Sequence, residues 1–237
     1  QLAIYTNAAR EMPVTIIASS ITAVLMPQLV YLLKNGNKEK AITLWGDATS
    51  LSYVFICFFA SGLFTFAPEV ISLLYSDKYL PGVPVFRIYS IVLLFRCTYF
   101  GIILNSIGKT KFIFYSSIVA LGLNIVLNYI LYRIFGFLGP ALATIVSVAA
   151  VQVFQLKATS QSISVPLRKV FPWKALGVIT IINVFIGIIF AFIKEAVSLD
   201  IYTGDILESM ILGVAWSVLY GLLMQSFIKH KWVVLNE

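Results

Sequence analysis

Long apolar stretches dominate this sequence and decide what it can fold into. Seven of them hold about 20 apolar residues or more, the length that an α-helix needs to cross the hydrocarbon core of a bilayer. Each stretch is continuous, whereas the strands of a membrane β-barrel would be shorter and would alternate. The approximate bounds are 4–33, 41–75, 84–107, 112–135, 138–163, 173–193 and 206–228. We therefore predict an all-α, polytopic membrane helix bundle of about seven transmembrane helices.

Charged residues are too scarce to cover a water-facing surface. They make up 11% of the chain and hydrophobic residues 60%, whereas a soluble domain carries about 25% charged residues. The two cysteines, Cys57 and Cys97, lie inside apolar stretches without metal-ligand spacing, and the one histidine, His230, lies near the C-terminus. We therefore predict no metal and no cofactor. The sequence has no nucleophile–base set, phosphate loop or dinucleotide fingerprint, so we predict that the chain is not an enzyme.

Basic residues predict the orientation in the membrane, because cytoplasmic loops carry an excess of Lys and Arg. Eleven of the 17 Lys and Arg residues follow alternate apolar stretches and so fall on one side. They are Lys34, Lys38, Lys40, Lys109, Lys111, Lys157, Arg168, Lys169, Lys174, Lys229 and Lys231. That side is predicted to be cytoplasmic, which puts the observed N-terminus outside and the C-terminus inside. Contact of this basic face with anionic membrane lipids explains most of the +7 net charge without nucleic acid as a partner.

The same pattern predicts three parts. Residues 1–163 form five transmembrane helices, and residues 164–172 form a cytoplasmic interfacial linker, because the stretch SVPLRKVFPWK mixes basic and apolar groups and holds two prolines. Residues 173–237 form two extra transmembrane helices and a short tail, as an appendage. The chain starts at Gln1 without a methionine and enters helix-like sequence almost at once. We expect a fragment that lacks an N-terminal part.

Arg96 stands at the centre of the apolar run IYSIVLLFRCTYFGIIL, within the third predicted helix. A charge at that depth costs about 2.5–3.5 kcal/mol on insertion scales, and it usually faces the bundle interior or a wet cavity. A guanidinium donates paired hydrogen bonds to phosphate oxygens. Arg96 is therefore a candidate anion site, with a structural ion pair or a hydrogen bond to helix carbonyls as the alternative. Arg87, near the outer end of the same helix, is expected to reach the interface.

Four further polar residues are candidates for lining a cavity. Arg10 lies near the outer end of the first helix and either pairs with Glu11 or faces a cavity mouth. Asn124 and Asn128 are four residues apart and so share one helix face. Asn105 lies in the third helix. The asparagines either form hydrogen bonds between helices or line a hydrophilic cavity that accepts sugar hydroxyls.

Four stretches together resemble a known family of exporters. They are AAREMPVTIIASSITAVLMPQL at 8–29, FAPEVISLLYSDKY at 66–79, LNSIGKTK at 104–111 and LNIVLNYILYRIFGFLGPALAT at 123–144. Their order and spacing resemble the oligosaccharide flippase branch of the multidrug/oligosaccharidyl-lipid/polysaccharide exporter superfamily. The resemblance covers about residues 4–163, and the last two helices fit by position only.

The resemblance implies a protein of 12 or 14 helices in two lobes of six, of which this chain is the second lobe without its first helix, plus the extra pair. The missing N-terminal lobe would then be a partner. The implied activity is transfer of undecaprenyl-pyrophosphate-linked oligosaccharide from the inner to the outer leaflet of the bacterial cytoplasmic membrane, for polysaccharide (O-antigen, capsule or exopolysaccharide) synthesis, by alternating access. Arg96 and Arg10 lie in helices that line the cavity of such exporters.

Other functions stay open. A drug/cation antiporter of the same superfamily would need a carboxylate at mid-depth, whereas Asp47 and Glu69 lie near the two ends of the second helix. A flippase for peptidoglycan precursors would be expected to carry more cationic residues along the first helix. A membrane enzyme would show a large external loop or paired catalytic residues. An inactive fragment or a membrane scaffold is the remaining alternative.

Overall fold

The fold is given by a computed structural model, which describes residues 2–9, 14–196 and 206–236. Over these residues the chain forms α-helices, short 3₁₀ turns and no β-strand, which confirms the predicted all-α class. The helices are α1 (Leu2–Ala8), α2 (Thr15–Lys34), α3 (Lys38–Thr65), α4 (Ala67–Tyr75), α5 (Val83–Leu94), α6 (Ile102–Ser106), α7 (Thr110–Phe135), α8 (Gly139–Ile163), α9 (Leu167–Val170), α10 (Trp173–Ala196) and α11 (Ile206–Asn236).

Five helical stretches within the described residues are long and apolar enough to cross a membrane: Thr15–Lys34, Lys38–Thr65, Thr110–Ile163, Trp173–Lys194 and Ile211–Lys231. The third comprises α7 and α8, which are joined by a 3₁₀ turn and pack along each other, so it crosses twice. The chain is therefore a multi-pass membrane protein. Large apolar side chains are exposed along α7, α10 and α11, as expected of helices that face lipid.

Helix α3 is the centre of the bundle. It packs against α2, α5, α10 and α11, and 56% of its apolar window is buried, compared with 17–22% for the other spans. Small and hydroxyl-bearing residues such as Ala48, Ser50 and Ala60 are buried along it. Such residues let neighbouring helices approach closely in a membrane, where apolar burial alone does not drive association.

The hairpin of α7 and α8 depends on two glycines in FGFLGP. Gly136 follows α7 with φ of 53°, in the left-handed region that favours glycine. Gly139 begins α8 where a Cβ atom would lie 2.4 Å from the backbone of Leu131. Pro140 then occupies the first turn of α8. Backbone N–H groups in that turn have no partner within the helix, so proline, which lacks an N–H, loses no hydrogen bond there.

The third predicted helix is not continuous, so the prediction of one helix over 84–107 was wrong. Helix α5 ends at Leu94 and α6 begins at Ile102, and residues 95–101, called the helix break below, are not helical. Side chains of α3 and α8 bind polar groups of the break, and these tertiary contacts outweigh the helical tendency of an apolar run. The second predicted helix likewise divides at Phe66 into α3 and α4.

The linker and the last two helices pack closely on the bundle. Val170 and Phe171 are buried, and the ring of Phe171 lies 5.6 Å from that of Trp45 in α3 and 5.2 Å from that of Phe100 in the helix break. Helices α10 and α11 each pack more extensively against α3 than against each other. The three predicted domain boundaries and the cytoplasmic position of the linker stay predictions.

Candidate functional site

Arg96 lies on the helix break, just beyond the C-terminal end of α5. The backbone N–H groups of Phe95 and Arg96 close the end of α5 by donating to the carbonyls of Val92 and Leu93, at 3.0 and 2.9 Å. The side chain of Arg96 is exposed. A cation at this position is favoured by the partial negative charge at the C-terminal end of a helix. The break therefore presents a guanidinium at the surface of the described helices, between two short apolar helices.

Side chains from two neighbouring helices hold the break. On one side, Gln152 of α8 donates its amide N–H to the carbonyl of Phe95. On the other side, the indole N–H of Trp45 in α3 donates to the hydroxyl of Thr98 at 2.9 Å, and the hydroxyl of Thr49 donates to the same oxygen at 3.2 Å. An unsatisfied backbone group inside a membrane is costly, so the bond from Gln152 to the Phe95 carbonyl stabilises the non-helical conformation. The two bonds to the Thr98 hydroxyl anchor the same segment to α3.

Asn124 and Asn128 form part of the seam between α7 and α8. The Nδ2 of Asn128 donates to Oδ1 of Asn124 at 2.9 Å, and Nδ2 of Asn124 donates to the hydroxyl of Ser147 in α8 at 3.4 Å. Both asparagines are half-buried. The Oδ1 atom of Asn128 is buried and has no hydrogen-bond partner among the described residues. The pair therefore joins two helices and leaves one acceptor available.

The other two candidates are placed differently. Asn105 is exposed near the end of α6, and its carbonyl accepts the N–H of Gly108 at 3.0 Å in the turn that leads to α7. Arg10 lies outside the described residues, so its predicted place at a cavity mouth stays a prediction. The structure thus joins Asn124 to Asn128 directly, and it places Asn105 on the segment that follows the break.

The acidic side chains that the structure describes lie near helix ends or in ion pairs. Glu39 and Asp77 are exposed near helix ends. Asp47 is paired with Lys231 of α11, and Glu69 is paired with Lys194 of α10. Over the same residues no group of three His, Cys, Asp or Glu side chains lies together in a way that could hold a metal ion.

Sequence reasoning missed the contacts that hold the break. Gln152 and Trp45 are separated from it by dozens of residues in the chain, and both fit ordinary roles in a membrane helix. One signal was available, because the stretch RCTYFG combines a charge, a β-branched residue and a glycine inside an apolar run. These residues weaken a helix. The pattern is consistent with a discontinuous helix, although it does not show which neighbours would replace the lost hydrogen bonds.

A bundle of membrane-spanning helices, with one span broken beside an exposed charge, is typical of secondary transporters. Residues 2–212 match a family model described as "Lipid II flippase MurJ". The chain belongs to this family, which lies within the exporter superfamily predicted above.

A solved structure titled "Lipid II flippase MurJ, inward closed conformation" has the same fold, with a TM-score of 0.68 and 18% sequence identity. The similarity covers 91% of this chain and 45% of that one, so this chain spans less than half the length of its structural relative. No curated protein matches the sequence. The predicted resemblance to lipid-linked flippases is confirmed, whereas its oligosaccharide branch stays a prediction.

Proposed function

We propose that this chain forms one lobe of a flippase that moves a polyprenyl-pyrophosphate-linked sugar across the bacterial cytoplasmic membrane. The observation that carries the proposal is Arg96, exposed on the helix break in a chain of the MurJ family. A pyrophosphate is anionic, and burying its charge in a membrane is costly. It can therefore cross only through a passage in which water and a cationic side chain stabilise that charge. The polyprenyl tail can stay in the bilayer throughout.

A second lobe is part of this proposal. The structural relative is more than twice as long as the matched region, and one lobe cannot close a passage on alternate sides. Rocking of two lobes about a site near the bilayer midplane gives alternating access. The predicted orientation, with the N-terminus outside and the C-terminus inside, belongs to the same proposal.

The cargo follows from the family. The family is named for lipid II, so we infer that the sugar is a lipid II-type peptidoglycan precursor. The oligosaccharide cargo implied by the four motifs is the second candidate. An antiporter of drugs and cations is disfavoured, because Asp47 and Glu69 are both held by lysines and are poorly placed to exchange protons.

The test uses vesicles that carry the chain together with the other lobe, and it measures transfer of a fluorescent polyprenyl-pyrophosphate-linked sugar between leaflets. Arg96→Ala is expected to lower the transfer rate about tenfold or more, since it removes a charge-assisted, bidentate contact. Arg96→Lys should retain only part of the rate, because a lysine offers a point charge instead of a planar fork.

Arg133→Ala is the control, because Arg133 is an exposed arginine at the end of α7 that stacks on the ring of Tyr129. It should leave transfer unchanged. Unchanged transfer in both Arg96 variants would remove Arg96 from the site. Comparing lipid II with an undecaprenyl-pyrophosphate-linked oligosaccharide then decides between the two cargoes.

A further inference from the structure

Helices α3, α5 and α10 enclose a cavity of about 730 Å³, called the α3–α5–α10 cavity below. Its lining residues on α10 run from Thr180 to Lys194, a length of about 21 Å along a helix. At one end the lining includes Arg87 and Lys194, and at the other it includes Cys57 and Leu94. The cavity therefore extends from the Lys194 end of α10 to the level at which α5 stops.

The walls of this cavity are largely apolar, and the cavity is partly open at the surface of the described helices. Ile91 and Leu94 of α5 line it together with Val184 and Ile188 of α10. Ile91, Val184 and Ile188 are 37%, 56% and 50% exposed, so their side chains are available to a bound molecule. The size falls within the range of about 300–1,000 Å³ that is usual for ligand pockets.

Two cations stand at the surface end of the cavity. The Nε of Arg87 donates to the carbonyl of Phe64 at 3.2 Å, and the guanidinium lies 5.5 Å from the ring of Phe64. These contacts orient Arg87 and leave its two terminal nitrogens for a further acceptor. Lys194 is 10% exposed, pairs with Glu69, and donates to the carbonyl of Thr65 at 3.3 Å. Among the side chains that the structure describes at this end, Glu69 offsets one of the two charges, which leaves a net positive charge.

We propose that the α3–α5–α10 cavity binds an anionic phospholipid of the surrounding bilayer. Its phosphate accepts hydrogen bonds from Arg87, with Lys194 adding attraction, and one acyl chain lies along the walls formed by α5 and α10. An acyl chain fits because the cavity is largely apolar and opens at the outer face of the described helices. The phosphate fits because Arg87 has no carboxylate partner among the described residues and a guanidinium suits phosphate geometry.

This inference goes beyond the proposed transport, because the phospholipid is a bound neighbour of the helices and is not cargo. Arg96, which we propose to hold the cargo, is not among the residues that line the cavity. A phospholipid in this position would bridge α10 to the bundle on the side where α10 and α5 make few direct contacts. Loss of the lipid and loss of transport can therefore be observed separately.

The experiment is native mass spectrometry of the chain, released from membranes and equilibrated with phosphatidylglycerol or with phosphatidylcholine. One phosphatidylglycerol should stay bound after the detergent is removed, and phosphatidylcholine should be retained about tenfold less, since its ammonium group weakens the attraction. Arg87→Gln should lower phosphatidylglycerol retention by about the same factor. Arg133→Gln is the matched control, because Arg133 also stacks on an aromatic ring, at 5.4 Å from Tyr129, but lies outside the cavity.

A second pair of variants tests the acyl chain. Val184→Phe places a ring in the cavity and should reduce retention of both phospholipids. Val178→Phe makes the same change on α10 at a residue that is 55% exposed and does not line the cavity, compared with 56% for Val184. It should have no effect. Equal retention in Arg87→Gln and Arg133→Gln, or in Val184→Phe and Val178→Phe, would overturn the proposal.

Competition distinguishes the bilayer lipid from the transported lipid. Equal amounts of undecaprenyl phosphate should not displace the bound phosphatidylglycerol. Preferential binding of undecaprenyl phosphate would assign the cavity to cargo and overturn the phospholipid proposal, while leaving the proposed transport intact. Arg87→Gln should also leave the transfer of the fluorescent sugar lipid largely unchanged, so failure of either proposal does not imply failure of the other.

Discussion

Lys231 of α11 and Asp47 of α3 form an ion pair that joins the last helix to the centre of the bundle. The two side chains are 22% and 12% exposed, so the pair is largely withdrawn from water. Toward the other end of α3, Lys194 of α10 pairs with Glu69 at the start of α4. One ion pair near each end of α3 therefore holds the extra helices, which the sequence suggested were an appendage.

Lys231→Met should destabilise the chain, because it leaves the carboxylate of Asp47 without its partner. Breaking a fully buried pair costs about 3–5 kcal/mol, and the cost is lower here because Lys231 is partly exposed. We expect the midpoint of thermal unfolding in detergent to fall by about 5 °C. Lys229→Met is the control, because Lys229 is exposed two residues away, and it should shift the midpoint little.

The double variant Asp47→Leu/Lys231→Met sharpens this test. Replacing both members of a buried pair by apolar groups is often close to neutral. The double variant should therefore be more stable than Lys231→Met alone. Additive losses in the double variant would show that the two residues act independently, contrary to the pairing in the structure.

The contacts that hold the helix break predict the reactivity of Cys97, which lies within the break and is 1% exposed. In a Cys57→Ala background Cys97 is the single thiol. Gln152→Ala removes the amide that bonds to the Phe95 carbonyl. A hydrogen bond is worth about 1 kcal/mol, so the break should open about fivefold more often. The measurement is the rate of modification of Cys97 by N-ethylmaleimide in membranes.

Gln155→Ala is the matched control for that experiment. Gln155 lies one turn along α8 and donates to the hydroxyl of Ser116 in α7 at 2.9 Å, away from the break. It should leave the labelling rate of Cys97 near that of the parent. Equal acceleration by both substitutions would mean that loosening of α8 in general, and not the bond to Phe95, exposes the thiol.

The course of the chain through the membrane follows largely from the sequence. Apolar runs bounded by turn residues such as Gly36, Gly108 and Gly136 predict the spans, and the structure gives each of these glycines a positive φ. Helix length and hydrophobicity are local properties, so they can be read without knowing the neighbours.

The details of the site are less predictable, because they depend on contacts between distant residues. The run around Arg96 is apolar enough to form a helix. Hydrogen bonds from Gln152 and Trp45 instead hold it in a non-helical conformation. Asp47 and Glu69 were placed near helix ends by sequence, but nothing local indicates that Lys231 and Lys194 reach them. Pairing of this kind becomes visible only when the helices are packed.

A hydrogen-bonded chain between α10, α11 and α3 gives a third prediction. The hydroxyl of Tyr220 donates to the carbonyl of Val54 at 2.7 Å and accepts from Nδ2 of Asn183 at 3.3 Å. Asn183 in turn accepts from the hydroxyl of Ser61 at 3.0 Å. Tyr220→Phe should cost about 0.6 kcal/mol, the average for a hydrogen bond between membrane helices, and at most about 1.7 kcal/mol.

The measurement for Tyr220 is again the midpoint of thermal unfolding in detergent, with Tyr115→Phe as the control. Tyr115 is 58% exposed on α7 and packs its ring against that of Phe114. Its hydroxyl can be removed without loss inside the bundle. A drop in the midpoint that is no larger for Tyr220→Phe than for Tyr115→Phe would argue against a stabilising role for the chain of hydrogen bonds.

The turn between α7 and α8 gives the last prediction. Gly139→Ala adds a Cβ atom at 2.4 Å from the backbone of Leu131, a distance that only a backbone shift can relieve. Overpacking typically costs about 1–3 kcal/mol, and occasionally more, so the cost here should lie at the upper end of that range. The two helices would then splay apart, and Asn124 would lose its hydrogen bond to Ser147 across the seam.

Gly122→Ala is the matched control, because a Cβ atom at Gly122 would meet nothing within 4 Å. It lies in the interior of α7, where alanine is favoured over glycine by about 0.5–1 kcal/mol, so the variant should be as stable as the parent or slightly more so. Thermal unfolding and the amount of chain that accumulates in membranes measure both variants. If Gly139→Ala were tolerated as well as Gly122→Ala, the close contact between α8 and the end of α7 would not be a requirement of the hairpin, and the spacing of the two glycines in FGFLGP would need another cause.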